Sequence, residues 1–560
     1  MMQQARANPG FAPLFTPKLV TVLREGYGAG QLRADALAGL TVAIVALPLS
    51  MAIAIASGAT PAQGLYTAIV GGFLVSALGG SRFQIGGPAG AFIVLVAGIV
   101  AQFGMSGLIL ATFMSGMMLV AIGLLRLGTF IKFIPFPVTV GFTAGIAVII
   151  FASQLKEIFG LTLAHEPGAL IEKLGALWAA RVTVTPAALA LALGTVAVIL
   201  GLKRLRPHWP GMLIAVALAA GATALTGAEV ATIGSKFGGI PSSLPAPALP
   251  QFSWSQVVAL LPSAVSLTLL GAIESLLSAV VADGMSGRRH RSNCELVAQG
   301  VANMGSALFG GICVTGTIAR TATNVRAGAH GPVAGMLHAL FLLGFMLVAA
   351  PLASYIPLAA LAGVLAVVSW NMVEKPAIAI LLRSGWGEAA VLAVTFGLTV
   401  FRDLTEAIVT GLALGSVLFI QRMSQATGIQ DQTPLVAADR PDGEARPDVP
   451  QPRDVLVYRI SGALFFGATA SIGSVLDNIQ DGARVLVVDF SAVPFLDSTG
   501  ANMIEGLAHK AHRRGVQLWL TGARRDIRRV LLTHGLRRPL ARYAATVEDV
   551  LHRGNGKEAA

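Results

Sequence analysis

The stretch GGICVTGTIART, residues 310–321, decides the fold of this chain. It lies between two long apolar segments, yet it contains three glycines, three threonines and one arginine. Glycine weakens a helix, and an arginine at membrane depth costs several kcal/mol. Non-helical backbone is tolerated at that depth only where it lines a cavity or is buried in protein. The stretch therefore predicts a break in a membrane helix beside a polar site.

The composition is that of a polytopic α-helical membrane protein. Of the 560 residues, 54% are hydrophobic and only 12% are charged, about half the charged fraction of a soluble protein. Many apolar runs are long enough to cross a bilayer core of roughly 30 Å, and we count about 14 segments, two of them short. They are read at roughly 37–57, 61–79, 88–103, 107–125, 133–152, 183–202, 211–227, 257–282, 296–312, 316–328, 333–350, 355–373, 386–401 and 404–421.

Basic residues follow alternate apolar segments. Since Lys and Arg mark cytoplasmic loops, this pattern predicts that both termini are cytoplasmic. It also explains the net charge of +12 without a nucleic-acid partner. The two cysteines suggest neither a disulfide framework nor a thiolate metal site. The basic residues concerned are Arg82, Arg126, Lys132, Lys203, Arg204, Arg206, Arg288, Arg289, Arg291, Arg326 and Arg422.

A second interrupted segment, IGGPAGAFIVLV at residues 85–96, matches the first. A shift of 226 residues places Gly90 on Gly316 and Pro48 on Glu274, which favours an inverted repeat. A half-helix that starts inside the membrane points unpaired N–H groups and a positive dipole end at one spot. Two such starts that face each other predict an anion site, and Arg320 would add positive potential to it.

Glu274 is an acid in the middle of the apolar segment 257–282, with Ser278 one turn later on the same face. A carboxylate in hydrocarbon is costly unless it has a partner. Glu274 therefore either forms a permanent ion pair with Arg320 or takes up a proton during the cycle. A sodium site with Ser278 and Thr317 as oxygen ligands is a further alternative. In the first segment, Pro48 and Ser50 lie near the same depth.

The composition changes after the last apolar segment. Residues 424–452 are polar and Pro-rich, which predicts a linker. Buried strands at 455–460, 485–490 and 516–520 alternate with amphipathic stretches at 499–514 and 524–535. We therefore predict a small cytoplasmic α/β domain over 453–553 and a disordered tail over 554–560.

Four stretches carry a resemblance to a known family. RADALAGLTVAIVALPLSMAIAIASG (33–58), GRRHRSNCELVAQGVANMGSALFGG (287–311), TGTIARTATNVRAGAHGPVAG (315–335) and FLDSTGA (495–501) resemble the SulP (sulfate permease) family of anion transporters. The resemblance implies 14 membrane segments in a 7+7 inverted repeat over 35–423, after a cytoplasmic N-terminal segment 1–34. It implies a core domain at about 35–128 and 257–350 and a gate domain at about 129–256 and 351–423. The C-terminal domain resembles a STAS domain.

The resemblance also assigns site residues. The acid at Glu274, supported by Ser278, is implied to couple transport to a proton. Ser498 in the Asp497-Ser498-Thr499-Gly500 loop is a candidate phosphorylation site, with a simple N-cap serine as the alternative. The segment-1 dipeptide is Pro48-Leu49, where many plant and animal members have Pro-Gln, so sulfate or chloride specificity does not transfer directly. The implied substrate-binding residues are Ser50, Ala89, Gly90, Ala91, Phe92, Thr315, Gly316, Thr317, Ala319 and Arg320.

The sequence thus predicts a secondary active anion transporter of the bacterial inner membrane that works as an elevator. The expected cargo is sulfate, bicarbonate or a C4-dicarboxylate, taken up with a proton; an anion exchanger, a channel-like conductor or a sodium-coupled bicarbonate carrier are the alternatives. We expect a homodimer in membrane lipid, and the STAS domain as a site for a regulatory partner. The scattered histidines predict no enzyme, metal or cofactor.

Overall fold

Long apolar helices fill most of the chain as far as Gln425, as its hydropathy predicts. The computed structural model describes residues 14–128, 135–163, 167, 170–206, 209–402, 404–425, 428–431, 455–465 and 484–555. The contacts divide the chain into a first unit, Met1–Leu412, and a second unit, Ala413–Ala560.

In the first half of the first unit, the helices are interrupted at two places. The first interruption covers residues 79–89, around a short strand, and the second is at Gly104, where φ is 69°. The second break separates the two segments predicted at 88–103 and 107–125. A 3₁₀ turn, Gly90–Phe92, leads directly into α5. The elements are α1 (Lys18–Arg24), α2 (Ala29–Ala56), α3 (Pro61–Tyr66, extended by a π turn at Thr67–Gly71), α4 (Gly72–Leu78), β1 (Gly86–Gly87), α5 (Ile93–Leu124), α6 (Phe136–Phe159), α7 (Leu170–Ala179), α8 (Pro186–Leu205), α9 (Gly211–Thr226) and α10 (Ile233–Phe237).

The second half repeats the pattern of a short strand before a helix. The chain here also forms a helix over 375–384, which the sequence analysis did not predict. The elements are α11 (Trp254–Ser286), α12 (Ser292–Leu308), β2 (Thr315–Gly316), α13 (Ile318–Arg326), α14 (Val333–Ala353), α15 (Leu358–Met372), α16 (Lys375–Ser384), α17 (Trp386–Phe401) and α18 (Leu404–Gln425).

Within the described part of the chain, nine helical stretches are long and apolar enough to cross a membrane, and two apolar helices are shorter. The polytopic helical fold is confirmed. The count of about 14 segments is not, because the half-helix α13 has only nine residues and does not meet a spanning length by itself. The exact number of membrane segments therefore stays a prediction.

Glycine allows the closest helix crossings of the first unit. α5 packs against α12, α2 against α14, and α6 against α15 and α17. Where α5 crosses α12, a Cβ placed on Gly300 would lie 2.5 Å from the Gly116 carbonyl oxygen and 2.7 Å from the Val120 amide nitrogen. Both neighbours are backbone atoms, so the two helices cannot be this close with any larger residue at Gly300.

The second unit is an α/β domain with a five-stranded sheet. The strand order is β3 (Gly428–Asp431), β4 (Val455–Ser461), β5 (Val485–Ala492), β6 (Gln517–Thr521), β7 (Arg542–Ala544), with β3 antiparallel to β4 and the others parallel. The strands predicted at 455–460, 485–490 and 516–520 are confirmed. β3 lies inside the stretch 424–452 that we predicted as a linker, so that stretch is not a linker throughout. Residues 426–427 and 432–452 of it lie outside the described residues.

Helices follow three of the strands: α19 (Ser498–Arg513), α20 (Arg525–Thr533) and α21 (Val547–Asn555). α19 and α20 contribute Ile504, Leu507, Ile527 and Leu531 to the larger hydrophobic core of this domain, whereas α21 packs on a smaller cluster around Trp519. α21 extends into the predicted tail 554–560, of which residues 556–560 lie outside the described residues.

We predict that Gly300→Val destabilises the first unit. The added methyl groups would overlap the backbone of α5, and overpacking of this kind typically costs about 1–3 kcal/mol. Thermal unfolding of the protein in detergent measures the effect. Gly194→Val is the matched control, since a Cβ at Gly194 meets no atom within 4 Å. Equal melting temperatures of the two variants would contradict the close crossing.

Candidate functional site

Two short strands join the two halves of the first unit at the site. β1 pairs with β2 in antiparallel register, with Gly86 opposite Gly316 and Gly87 opposite Thr315. Each strand is followed at once by a helix start. The structure therefore brings together residues 86–92 and 314–320, which the sequence predicted as two half-helices that face each other.

The first turns of the two half-helices leave backbone donors available. In the first half-helix the Phe92 amide donates to the Ala89 carbonyl at 3.1 Å, and in the second the Thr321 amide donates to the Thr317 carbonyl at 2.9 Å. Amides before these positions have no acceptor within their own helix. Ala89 and Thr317 are both extended N-cap residues, so each helix dipole begins at the paired strands.

The predicted binding residues differ in accessibility. Gly90 is half-buried and Ala319 is exposed. Ala91 and Phe92 are buried, and the Phe92 ring packs close to Gly271 of α11. Gly90 and Ala319 are therefore the two accessible residues among the ten that the sequence predicted for substrate binding.

Two glycines make room for polar side chains. A Cβ on Gly87 would lie 2.1 Å from Nη1 of Arg320, and a Cβ on Gly316 would lie 1.6 Å from Nε2 of Gln84. Real side chains do not approach that closely. A side chain at Gly87 or Gly316 would therefore displace the Arg320 guanidinium or the Gln84 amide that crosses beside it.

Arg320 is 2% exposed and lies against the entry of the other half-helix. Its Nη2 donates to the Pro88 carbonyl at 3.1 Å. Its Nε and Nη1 have no hydrogen-bond partner among the described residues. A buried guanidinium with two unused donor atoms is a ready partner for an anion.

α11 holds both half-helices through side-chain hydrogen bonds. Gln84 donates to the Ser275 hydroxyl at 2.8 Å, and the Thr315 hydroxyl donates to the Gly271 carbonyl at 3.2 Å. The Ser278 hydroxyl donates to the Thr321 hydroxyl oxygen at 3.0 Å. Ser278 therefore contacts the second half-helix through Thr321.

Glu274 lies among these anchoring residues on α11 and is 8% exposed. In this structure no carboxylate oxygen of Glu274 lies within the 4.0 Å of an Arg320 nitrogen that an ion pair requires. The permanent ion pair that the sequence left open is therefore not formed. Glu274 remains an acid at membrane depth without a cationic partner among the described residues.

Ser50 is fully buried in α2, two residues after Pro48. Its carbonyl packs tightly against Gly64 of α3, and its hydroxyl has no hydrogen-bond partner among the described residues. The structure therefore does not bring the Ser50 hydroxyl into hydrogen-bond contact with either half-helix.

A cavity of about 920 Å³ lies between α5 and α11 on one side and α6, α17 and α18 on the other. Polar side chains on its wall include those of Gln102, Ser266 and Thr399, with Arg402 and Glu406 beside them. The cavity wall does not include Glu274 or Arg320. No group of three or more His, Cys, Asp and Glu side chains that could hold a metal occurs in the described ranges.

Three further residues belong to the site but were not among the predicted site residues: Gln84, Gly87 and Thr321. Gln84 stands two residues before the Gly86-Gly87 pair, and a glutamine beside glycines in an apolar segment was the available signal. Thr321 accepts the Ile85 amide at 3.1 Å and the Ser278 hydroxyl, so it links three elements. Nothing in its sequence context distinguishes it from the neighbouring threonines.

Ser498 in the second unit is exposed, and it is the first residue of α19. The N-cap is Asp497, whose Oδ1 accepts the Gly500 amide at 2.7 Å. The alternative that Ser498 is the N-cap is therefore wrong. Its role as a phosphorylation site stays a prediction.

A polytopic helical fold with two broken helices that meet inside it defines a membrane transporter. The matched sequences agree with that class. Residues 32–395 match the Sulfate permease family, and residues 446–550 match the STAS domain. The chain belongs to the Sulfate permease family, as its resemblance to SulP proteins predicted.

Relatives extend over nearly the whole chain. It is 41% identical over 522 residues to the Putative sulfate transporter YvdB of Bacillus subtilis, covering 91% of this chain and 95% of that protein. It is 32% identical over 523 residues to the Bicarbonate transporter BicA of Picosynechococcus sp., covering 90% of each.

Solved structures support the fold. The transmembrane domain of a cyanobacterium bicarbonate transporter BicA has a TM-score of 0.62 and 33% identity, covering 68% of this chain and 98% of that chain. The murine Slc26a9 anion transporter in the inward-facing state has a TM-score of 0.83 and covers 99% and 97% of the two chains. Its identity is 18%, so it shows the fold alone.

We predict that Gly87→Ala disrupts the site. The methyl group would occupy the position of Arg320 Nη1, so the guanidinium must move from the half-helix start. Anion affinity, measured by isothermal titration with the protein in detergent, should fall at least about tenfold, as expected when a charge-assisted hydrogen bond is lost. Gly98→Ala is the control, because a Cβ there meets no atom within 4 Å. Unchanged affinity in Gly87→Ala would contradict this geometry.

Proposed function

We propose that this protein is a secondary active transporter that takes up a small anion together with a proton. The observation that carries the proposal is the pairing of Gly86–Gly87 with Thr315–Gly316, which aims two helix N-termini at one place. The relatives named for sulfate and bicarbonate transport support an anionic cargo. The cargo class is sulfate, bicarbonate or a C4-dicarboxylate.

The anion is held by backbone dipoles and one guanidinium. The amides of Gly90 and Ala319, at the accessible helix starts, donate to it. Arg320 adds the only full positive charge that the described residues place at these helix starts, with Nε and Nη1 available. Such a site selects for negative charge rather than for one shape, which suits small oxyanions.

Glu274 couples the anion to a proton. An ionised carboxylate at membrane depth without a cationic partner is costly, and taking up a proton removes that cost. We rank the proton above sodium on the Glu274 side chain alone. The candidate sodium ligands Ser278 and Thr317 donate their hydroxyls, to Thr321 at 3.0 Å and to the Ile85 carbonyl at 3.3 Å, and both oxygens keep lone pairs that can bind a cation.

The elevator mechanism assigns motion to the helices that carry the site. A Cβ on Gly90 would lie 3.5 Å from Cδ1 of Ile150 and 3.5 Å from Sδ of Met372, so the first half-helix faces α6 and α15 across small apolar contacts. Apolar side chains without hydrogen bonds across this boundary permit sliding. The 920 Å³ cavity between α5 and α6 is the proposed water-filled access route.

The remaining assignments follow from this function. We place the protein in the bacterial inner membrane with cytoplasmic termini, as a homodimer whose STAS domain receives a regulatory partner. The decisive measurement is uptake into proteoliposomes with a panel of the three anions under an imposed proton or sodium gradient. A carrier saturates with anion concentration, whereas a channel gives single-channel currents far above carrier turnover.

We predict that Glu274→Gln abolishes the stimulation of uptake by an inward proton gradient. The amide has nearly the shape of the protonated acid but cannot release a proton, so anion binding should remain measurable. Uptake at several imposed pH gradients, with binding measured in parallel, separates the two effects. Glu157→Gln is the control, because the Glu157 carboxylate pairs with Lys236 near the protein surface. Full stimulation in Glu274→Gln would rule out the coupling role.

We also predict that Arg320→Gln weakens anion binding about 10- to 100-fold. A charge-assisted hydrogen bond contributes about 1.5–3 kcal/mol, and the variant keeps a donor but loses the charge. Titration calorimetry with each anion measures this. Arg181→Gln removes an exposed arginine that stacks on Trp178 and should leave affinity unchanged. If the two variants bind the anion with equal affinity, Arg320 has a structural role and does not bind the anion.

A further inference from the structure

The helix α20 of the C-terminal domain presents a row of arginines to solvent. One groove of about 360 Å³ on this helix is lined by residues that we call the arginine face: Arg525, Arg528, Arg529, Leu532 and Thr533. The opposite side of α20 is buried, with Ile527 1% and Leu531 0% exposed. The packed side holds α20 in place, so the arginine face is a fixed surface rather than a flexible tail.

Much of the positive charge of this face is not neutralised. Arg524, just before the helix, pairs with Asp526 at 2.8 Å, and the Arg528 guanidinium lies 4.9 Å from the centre of the Tyr543 ring. The guanidinium groups of Arg525 and Arg529 form no hydrogen bond or ion pair with the described residues. Arg537 and Arg538, in the turn after α20, are also exposed. A partner for this surface must therefore be anionic.

The same domain lies at the end of a membrane helix. Ile420 and Met423, near the end of α18, pack against the hydrophobic core to which Ile527 and Leu531 of α20 belong. The stretch Glu406–Ser424 of α18 meets the length and hydropathy of a membrane span. The second unit, Ala413–Ala560, therefore includes the end of a helix that is long and apolar enough to span a membrane, so the chain itself connects this domain to the lipid.

We propose that the arginine face binds the phosphates of anionic phospholipids in the leaflet that the domain faces. Guanidinium groups bind phosphate oxygens through paired hydrogen bonds. Leu532 is 40% exposed in the middle of the face, and an apolar residue among arginines is typical of helices that lie in the membrane interface. This inference concerns where the domain docks and does not depend on which anion is transported.

The test uses the full-length protein in lipid nanodiscs. Thr533→Cys is labelled with a fluorophore, which is specific because Cys294 and Cys313 are buried. A nitroxide on lipid headgroups quenches the label when the arginine face contacts lipid. We expect strong quenching with about one third phosphatidylglycerol in phosphatidylcholine and much less with phosphatidylcholine alone. Because each arginine near an anionic surface contributes about fivefold, Arg525→Gln/Arg529→Gln should lower the bound-to-free ratio about 25-fold.

Two control variants separate charge from position. Arg513→Gln/Arg514→Gln removes the same charge at the end of α19. This position lies at the amino ends of the parallel strands, whereas α20 starts at their carboxyl ends. We expect this variant to leave the quenching unchanged. Arg525→Lys/Arg529→Lys keeps the charge and should retain most of the quenching. Equal quenching in both lipids, or no effect of Arg525→Gln/Arg529→Gln, overturns the proposal. The label fluorescence is also measured in detergent with inorganic phosphate and with polyglutamate. If it changes with either of these but not with anionic lipid, the proposal is wrong, and the face binds a soluble ligand or an acidic protein instead. Anion uptake into proteoliposomes is measured with the same variants, so that a failure of lipid docking can be told apart from a failure of the proposed transport function.

Discussion

The antiparallel pairing of Gly86–Gly87 with Thr315–Gly316 is the constraint on which the rest of the membrane unit depends. A chain that breaks its helix inside a bilayer must satisfy the freed backbone groups within the protein. Here each break supplies the partner for the other, so neither is stable alone. The pairing also fixes the direction of both half-helices, because each one starts within a few residues of its strand. The position of the anion site that we propose therefore follows from how the two breaks satisfy each other.

α11 converts this pairing into a rigid unit. Gly271, Ser275 and Ser278 bind the two halves, and they stand at positions i, i+4 and i+7 on one face of the helix. Glu274 is at position i+3 of the same series, so it shares that face. In the coupling that we propose, a change in the charge of Glu274 would therefore act directly on the helix that holds both half-helices.

Local sequence was sufficient for the fold class, for both breaks, and for the central strands of the C-terminal domain, because hydropathy and glycine content are local properties. It was not sufficient for the hydrogen bonds that shape the site. Ile85 and Thr321 are 236 residues apart, and Gln84 and Ser275 are 191 apart, so no periodicity joins them. The choice between an ion pair and an unpaired acid at Glu274 depends on the distance between its carboxylate oxygens and the Arg320 nitrogens, which the sequence does not give. The strand β3 has four residues and follows a membrane helix almost directly, so its pattern could not be separated from a linker.

Arg320 carries buried polar atoms without a hydrogen-bond partner among the described residues, which suits the ligand-binding role that we propose for it. Nε and Nη1 of Arg320 are buried without an acceptor among the described residues, and the side-chain amide oxygens of Gln84 (Oε1) and Asn324 (Oδ1) are buried without a donor among them. A buried charge without a counter-charge is unfavourable by several kcal/mol. A permanent internal carboxylate at this position would remove that cost, but it would also compete with the cargo. Because Glu274 stays out of ion-pair distance, the Arg320 guanidinium keeps two donor atoms that the anion-binding role we propose would use.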